Sequence, residues 1–212
     1  MKAREHSVGI LLAGGKSSRM GGGDKCLLPL GGRPILAHVI ERLKPQVAEL
    51  IISANGDPAR FSAFGLPVVV DRLGFYAGPL AGILAGLEWA RTNRPESRFA
   101  ITAASDTPFL PADLVDRLCS ASGEGAPNLA VARSADGMHP VFGLWPVTLA
   151  PDLEASLISG DRKVSEWVGQ HQAREVMFPP LELGSRTIDP FFNINLADDL
   201  TAAEAFLQAS AV

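Results

Sequence analysis

Short apolar runs alternate with amphipathic segments along most of this 212-residue chain, and this alternation constrains the fold more than any other feature. The predicted strands are 7–13, 50–54, 68–70, 99–104, 129–133, 141–145 and 173–178, and the predicted helices are 35–43, 80–90, 111–118, 163–170 and 197–208. Strands joined through helices need right-handed crossovers, which place helices against a sheet of parallel strands. The pattern therefore predicts an α/β protein, with one three-layer domain over 1–212, a mainly parallel sheet and helices on both faces.

Composition narrows the class of protein. Hydrophobic residues make up 47% of the chain and charged residues 20%, which allows a large core and argues against disorder. The net charge is -4, without the basic excess of a nucleic-acid-binding protein, so we expect no nucleic-acid partner. The apolar run 8–13 is too short for the core of a signal peptide, and no run nears the ~20 residues that span a bilayer. We therefore expect a cytoplasmic protein with no membrane partner.

Polar or glycine-rich groups follow four of the predicted strands. These groups are the loop 14–25, Asn55, Asp71 and Asp106. Open parallel sheets bind ligands outside the carboxyl ends of their strands, where all four groups would meet on one rim. The sequence therefore predicts a binding site at this edge of the sheet. Taken singly, Asn55 also suits a turn, Asp71 a solvated loop, and Asp106 a turn or a helix cap.

The loop after the first predicted strand combines glycines with cations. Gly14 and Gly15 allow backbone N–H groups to approach a phosphate, and Lys16, Arg19 and Lys25 add positive charge. The loop contains neither GxxxxGK[ST] nor a GxGxxG with the offsets of a dinucleotide site. The loop therefore predicts phosphate binding, and it disfavours both a P-loop NTPase and a dinucleotide-binding enzyme.

The same loop, read over 12–25 as LAGGKSSRMGGGDK, resembles the signature LAGGxSxRMGxxDK of the nucleotidyltransferase superfamily. Further matches follow in order along nearly the whole chain, and they are 28–34, Gly78-Pro79-Leu80-Ala81-Gly82, Asp106-Thr107-Pro108-Phe109, His139-Pro140-Val141, Gly160-Asp161-Arg162-Lys163-Val164 and Phe192-Asn193-Ile194-Asn195. Together they resemble the molybdenum cofactor guanylyltransferases of the MobA type. Two departures are Ala197, where that family starts a helix with proline, and Ser53, where relatives can have asparagine.

The resemblance implies a Rossmann-like nucleotidyltransferase fold and an enzyme that transfers GMP from GTP to molybdopterin, giving molybdopterin guanine dinucleotide and pyrophosphate. It implies that the GTP-binding residues are Leu12, Ala13, Gly14, Gly15, Arg19, Lys25, Asn55, Asp71 and Asp106. Of these, Arg19, Lys25 and Asp106 would be catalytic, and Asp106 would bind the metal cofactor, Mg²⁺ or Mn²⁺. The N-terminal part would bind GTP and the C-terminal part molybdopterin.

The resemblance also assigns molybdopterin binding to four residues of the C-terminal part, His139, Arg162, Asn193 and Asn195. Each has a structural alternative: His139 also suits a core position, Arg162 the entry to a helix, and the two asparagines local backbone capping. Chaperones of molybdoenzymes and other cofactor-biosynthesis proteins are the further partners that the resemblance implies.

Other functions stay open at this point. A CTP-dependent molybdopterin cytidylyltransferase and a sugar-1-phosphate nucleotidyltransferase are the nearest alternatives. A cofactor-carrying or chaperone module would keep the fold without the chemistry. A nucleophilic cysteine is a further alternative, because Cys26 follows Lys25 and a neighbouring cation lowers the pKa of a thiol.

Overall fold

The computed structural model describes residues 3–14, 24–72, 78–123, 128–184 and 186–210. Its strands are β1 (Ser7–Leu12), β2 (Pro29–Leu30), β3 (Arg33–Pro34), β4 (Glu49–Ser53), β5 (Val68–Val69), β6 (Phe99–Ala104), β7 (Ala130–Ser134), β8 (Gly137–Pro146), β9 (Arg174–Met177), β10 (Leu181–Leu183) and β11 (Arg186–Ile188). Its α-helices are α1 (Ile35–Leu43), α2 (Pro79–Asn93), α3 (Leu114–Ser122), α4 (Ala150–Ser159), α5 (Val164–Gln170) and α6 (Ala197–Ser210). Short 3-10 helices lie at Ala3–His6, Lys25–Leu27, Lys44–Gln46, Pro58–Phe64 and Val147–Leu149.

Seven strands form one sheet in the order β5-β4-β1-β6-β8-β7-β9. Neighbouring strands pair in parallel except at β8, which is antiparallel to both β6 and β7. The change of direction follows from the two-residue connection between β7 and β8, because a connection this short can join only antiparallel strands. The predicted α/β fold with a mainly parallel sheet is therefore confirmed.

Helices cover both faces of this sheet, as predicted. In α1, Leu36, Val39 and Leu43 recur at helical spacing and are fully buried. Successive residues of a strand point to opposite faces, so Leu11 packs with α1 and α3, whereas Ile10 packs with α2, α4 and α5. The sheet is thus the middle of three layers.

A third apolar cluster joins α6 to the hairpins β2–β3 and β10–β11. Its fully or nearly fully buried members are Leu30, Ile35, Phe109, Ile188, Ile194 and Ala203. Ile194 also donates its backbone N–H to the carbonyl of Asp106 at 3.0 Å. The cluster therefore fixes the segment before α6 against the carboxyl end of β6.

Helix α2 lies close to β1 and β4 because two of its glycines face the sheet. A Cβ atom on Gly82 would stand 2.9 Å from Ser53 Oγ and 3.1 Å from Leu12 Cδ2. A Cβ atom on Gly86 would stand only 2.2 Å from Ile10 Cδ1. The first turns of α2 consequently reach the ends of the two strands that carry the predicted site.

Some elements differ from the sequence predictions. Helix α3 begins at Leu114 rather than at 111, because its backbone N–H closes a turn on the Pro111 carbonyl at 3.3 Å. Helix α4 and the hairpins β2–β3 and β10–β11 are absent from the prediction, and the hairpin strands of two or three residues are too short for a period to show. Within the described ranges, no helix combines the length and apolar character needed to cross a membrane.

Candidate active site

An ion pair lies at the carboxyl ends of β1 and β6. Lys25 Nζ lies 2.5 Å from Asp106 Oδ2 and donates a hydrogen bond to Asn195 Oδ1 at 2.7 Å. The Lys25 and Asp106 side chains are only 16% and 18% exposed, so water screens the pair incompletely. Asp106 does not cap α3, whose N-cap residue is Asp113. One ammonium group thus joins three segments that are distant in sequence, and within the described ranges its third N–H donor has no protein partner and could serve a ligand.

A first cavity of about 440 Å³ adjoins this ion pair. Its lining residues are Leu12, Ala13, Gly14, Lys25, Cys26, Ser53, Asn55, Asp71, Gly78, Pro79, Gly82, Ala104, Ser105, Asp106 and Val141. They include every predicted GTP-binding residue within the described ranges, whereas Gly15 and Arg19 lie outside those ranges. The structure therefore brings the predicted residues together, and GTP binding by each of them stays a prediction.

Asn55 and Asp71 form a reciprocal pair at this cavity. Asn55 Nδ2 donates to Asp71 Oδ2 at 3.2 Å, and the Asp71 backbone N–H donates to Asn55 Oδ1 at 3.2 Å. The turn that follows Asn55 is instead stabilised by Asp57, which accepts the backbone N–H of Ala59 at 2.9 Å. Asn55 therefore links the loops after β4 and β5, and neither side chain is merely solvated.

Arg60 supports the site through contacts with two segments that line or border the cavity. Its guanidinium forms an ion pair with Asp24 and donates to the carbonyl of Asn55 at 2.6 Å. Asp24 directly precedes Lys25. By contacting both Asp24 and the loop after β4, Arg60 therefore holds the turn with Lys25 against that loop. No local sequence pattern around Arg60 predicts this contact, because its partner Asp24 lies 36 positions away in the chain.

Cys26 lines the first cavity, but its environment opposes nucleophilic chemistry. The pKa of the Cys26 thiol is raised to about 11, mainly by burial; a hydrogen bond with Ser105 lowers it by less, and the carboxylates of Asp24 and Asp106 add still smaller increases. Burial likewise raises the pKa of Cys119 to about 12. The expected lowering by Lys25 is therefore wrong, and the interpretation of Cys26 as a nucleophile loses its support.

We expect the native protein to resist thiol alkylation at pH 8. A pKa of about 11 leaves only ~0.1% of Cys26 as the reactive thiolate at that pH. Iodoacetamide labelling followed by intact mass, in a Cys119→Ser variant, measures Cys26 alone, and the same sample unfolded in guanidinium serves as the positive control. Labelling of the folded protein as fast as that of the unfolded protein would contradict the expectation.

A second cavity, also of about 440 Å³, meets the first at Ala104 and Val141, which line both. It is lined further by Thr107, Asp136, Met138, His139, Pro140, Phe142, Asp189, Phe191, Phe192, Asn193, Asn195 and Asp199. Three of the four residues predicted for molybdopterin, His139, Asn193 and Asn195, therefore share one cavity. Their contact with molybdopterin stays a prediction.

Arg162 is the fourth of these residues, and it is not among the described residues that line either cavity. Its guanidinium donates to the carbonyl of Leu157 at 2.7 Å and to that of Asp161 at 2.6 Å, at the end of α4. Its own carbonyl lies near Gly78, 3.6 Å from where a Cβ would stand. In this conformation the Arg162 guanidinium caps the end of α4 rather than the entry to a helix, and its role with substrate stays a prediction.

The chemistry of the donor set at Lys25 fits a divalent cation. The described residues contain no group of three or more His, Cys, Asp or Glu side chains that could hold a metal ion. However, Asp106 Oδ2 and Asn195 Oδ1 already surround one positive charge at 2.5 and 2.7 Å. Mg²⁺ is usually held by one or two carboxylates while phosphate and water complete its shell, so the Asp106 carboxylate, with the Asn195 amide oxygen beside it, fits this ion.

The mainly parallel sheet, the cation at its strand ends and the cavity beside it form the kind of ligand site that open α/β proteins carry. Residues 9–176 match the MobA-like NTP transferase domain. The chain therefore belongs to the MobA-like NTP transferase family and is a nucleotidyltransferase.

Curated relatives match over almost the full chain. The molybdenum cofactor guanylyltransferase of Mesorhizobium japonicum is 51% identical over 207 residues, which cover 97% of this chain and 98% of the relative. The molybdenum cofactor guanylyltransferase of a Bradyrhizobium species is also 51% identical, over 92% of this chain and 91% of the relative.

Solved structures agree in fold. The molybdopterin-guanine dinucleotide biosynthesis protein A of Archaeoglobus fulgidus superposes with a TM-score of 0.69 at 22% identity, over 95% of this chain and 98% of that protein. Rv0371c of Mycobacterium tuberculosis, solved as a complex with manganese, superposes with a TM-score of 0.69 at 21% identity, over 94% and 98%. The Rossmann-like nucleotidyltransferase fold expected from the resemblance is thus confirmed.

Proposed function

We propose that this nucleotidyltransferase transfers GMP from GTP to the phosphate of molybdopterin in the molybdenum cofactor, giving molybdopterin guanine dinucleotide and pyrophosphate. The observation that carries the proposal is the Lys25 ammonium, held by Asp106 and Asn195 beside two adjoining cavities. Two substrates need two binding spaces with the transferred phosphorus between them. The guanylyltransferases of Mesorhizobium and Bradyrhizobium support the choice of GTP and of the molybdenum cofactor.

The first cavity is the proposed GTP site. Leu12, Ala13 and Gly14 form part of its lining where β1 ends, and the Asn55–Asp71 pair offers hydrogen-bond acceptors for the guanine or the ribose. Because Lys25 also lines this cavity, a triphosphate bound there would lie beside its ammonium group. The second cavity then receives the molybdopterin, so the N-terminal and C-terminal parts each supply one substrate site.

Phosphoryl transfer depends mainly on positioning and on neutralising charge. The remaining N–H donor of Lys25 would bind the triphosphate and oppose the charge that grows on the departing pyrophosphate. Arg19 is assigned the same task by resemblance. Asp106 and Asn195 would hold Mg²⁺, which, when bound, polarises the α-phosphoryl group.

Two alternative functions are a carrier or chaperone module and a cytidylyltransferase. Membership in a transferase family contradicts a carrier or chaperone module without chemistry. A cytidylyltransferase differs from the proposal only in the base, and the assay described next distinguishes the two. The reaction is proposed to take place in the cytoplasm, supported by the free thiols of Cys26 and Cys119, which are typical of reducing compartments.

With authentic molybdenum cofactor and Mg²⁺, we expect GTP to give pyrophosphate and a product with the mass of the guanine dinucleotide. CTP, ATP and UTP in parallel reactions should give little product, because their bases do not offer the donor edge of guanine to Asp71. Chelation of the metal with EDTA is the control and should stop turnover. A cytosine dinucleotide as the main product, or no pyrophosphate from the folded protein, would overturn the proposal.

A further inference from the structure

We propose that Asp189 binds the 2-amino-4-oxopyrimidine edge of the pterin ring in the second cavity, with His139 and Phe191 forming the adjacent aromatic wall. The inference rests on the proposed function and goes beyond it, because it names the chemical group that selects the acceptor substrate. It also adds a residue, Asp189, that the sequence analysis does not assign.

The position of the second cavity relative to Lys25 determines which end of the acceptor it would hold. Asn195 lines this cavity and accepts a hydrogen bond from Lys25. The acceptor phosphate must approach Lys25 in order to be joined to GMP. The ring system attached to that phosphate then extends into the second cavity, away from the nucleotide.

The charges of the second cavity suit a hydrogen-bond donor better than an anion. Its described lining contains the carboxylates of Asp136, Asp189 and Asp199 and no lysine or arginine. A phosphate placed among them would be repelled. The pyrimidine edge of a pterin presents a 2-amino group and N3–H, two parallel donors that match the two oxygens of one carboxylate.

Of the three carboxylates, Asp189 has the geometry that this recognition needs. Asp199 is already used, since its Oδ2 accepts the backbone N–H groups of Asn195 and Leu196 at 2.8 Å each. Asp136 is exposed in the turn between β7 and β8. The Asp189 side chain is only 14% exposed; its Oδ1 accepts the Phe191 N–H at 2.7 Å, and its Oδ2 has no hydrogen-bond partner among the described residues.

His139 completes the pattern of donors and acceptors. Ser134 is buried; its hydroxyl oxygen accepts the Asp136 N–H and lies at hydrogen-bond distance, 2.7 Å, from His139 Nε2. Burial lowers the pKa of His139 against the smaller raising effects of Asp189 and Asp136, which favours the neutral ring. In the neutral tautomer with the proton on Nδ1, Nε2 would accept the hydroxyl proton of Ser134. An Nδ1–H group can donate to the 4-oxo group beside N3–H.

A flat ring would also find an aromatic surface in this cavity. The His139 and Phe191 rings lie 4.5 Å apart between centroids at an interplanar angle of 33°. Phe191 in turn packs against Phe142 at 4.7 Å. These rings hold one another in place, so the wall is formed before a ligand arrives.

The test is a fluorescence titration with 6-hydroxymethylpterin, which has the pterin edge and no phosphate. Asp189→Asn keeps an oxygen for the Phe191 N–H but turns an amide donor toward the donors of the pterin. We expect it to weaken pterin binding about 10- to 100-fold, the range for a hydrogen bond to a charged group. Asp136→Asn, which removes the same charge from the exposed rim of the cavity, is the matched control and should weaken binding far less.

Guanosine shares the same edge, and it is therefore titrated in parallel. Its binding should be insensitive to Asp189→Asn if guanine occupies the first cavity. An equal loss for guanosine and pterin, an equal effect of the Asp136 and Asp189 variants, or no pterin binding by the wild type would each overturn the inference.

A change in the ligand tests the same contact without any substitution in the protein, in case Asp189→Asn does not fold. 4-Oxopteridine, which lacks the 2-amino group, should bind the wild-type protein at least about tenfold more weakly than the pterin; equal binding would overturn the inference. Guanine dinucleotide formation by the wild type reports on the proposed function separately. If that product forms and Asp189→Asn leaves the KM for the cofactor unchanged, the pterin subsite is wrong while the function stands.

Discussion

Replacing Asp106 with asparagine is expected to lower kcat for GMP transfer by about 10²- to 10³-fold, the range for loss of one preorganised electrostatic contact. The variant keeps the size of the side chain but removes the negative charge that lies 2.5 Å from Lys25 Nζ. It thereby weakens both the position of the lysine and the proposed hold on Mg²⁺. Steady-state rates of pyrophosphate release, at saturating GTP and cofactor, measure the effect.

The fold should tolerate this change, because the structural contact of Asp106 is made by its backbone carbonyl, which accepts the Ile194 N–H. Asp113→Asn is the matched control: Asp113 also lies 2.5 Å from a cation, Arg117, but on the exposed start of α3. Exposed pairs of this kind contribute little, so its kcat should stay near that of the wild type. A wild-type kcat for Asp106→Asn would show that Asp106 has no catalytic role.

The sequence predicts the first half of the site well, and the reason is physical. Strands β1, β4 and β6 are buried runs with clear boundaries, and parallel pairing puts their carboxyl ends on one rim. Lys25, Asn55, Asp71 and Asp106 could therefore be grouped without coordinates. The position of each of these residues follows once the strand that precedes it in the chain is predicted correctly.

The second half depends on contacts that leave no local pattern. Asn195 meets Lys25 across 170 positions, and the contact exists because Ile194 is buried among α6 and two very short hairpins. Asp189 reads as an ordinary turn residue until the structure places it in a cavity with His139. Hydrophobic periodicity predicts which faces of helices and strands are buried. It therefore does not predict the positions of residues that lie in loops and short hairpins.

Replacing Gly86 with alanine is expected to destabilise the protein by about 2 kcal/mol, the middle of the range for overpacking a core. The new Cβ would stand 2.2, 2.7 and 2.9 Å from three side-chain atoms of Ile10, which is fully buried in β1, where close packing opposes a change of rotamer. Helix α2 must then shift from the sheet, and its first turn carries Gly78, Pro79 and Gly82 of the first cavity. GTP affinity should therefore fall together with stability.

Gly169→Ala supplies a control of opposite sign. Gly169 lies in the last turn of α5 with no atom within 4 Å of the position of a new Cβ, so alanine there gains, without a clash, a part of the helix preference of about 0.5–1 kcal/mol that applies to the middle of a helix. Thermal unfolding should show a Tm lower by roughly 4–8 °C for Gly86→Ala and slightly raised for Gly169→Ala. Because the same chemical change is made in two helices, a difference in sign isolates the packing of α2 on Ile10. Equal changes of Tm in the two variants would mean that α2 can move away from β1 at little cost. The close approach of α2 to β1 would then not be what shapes the first cavity.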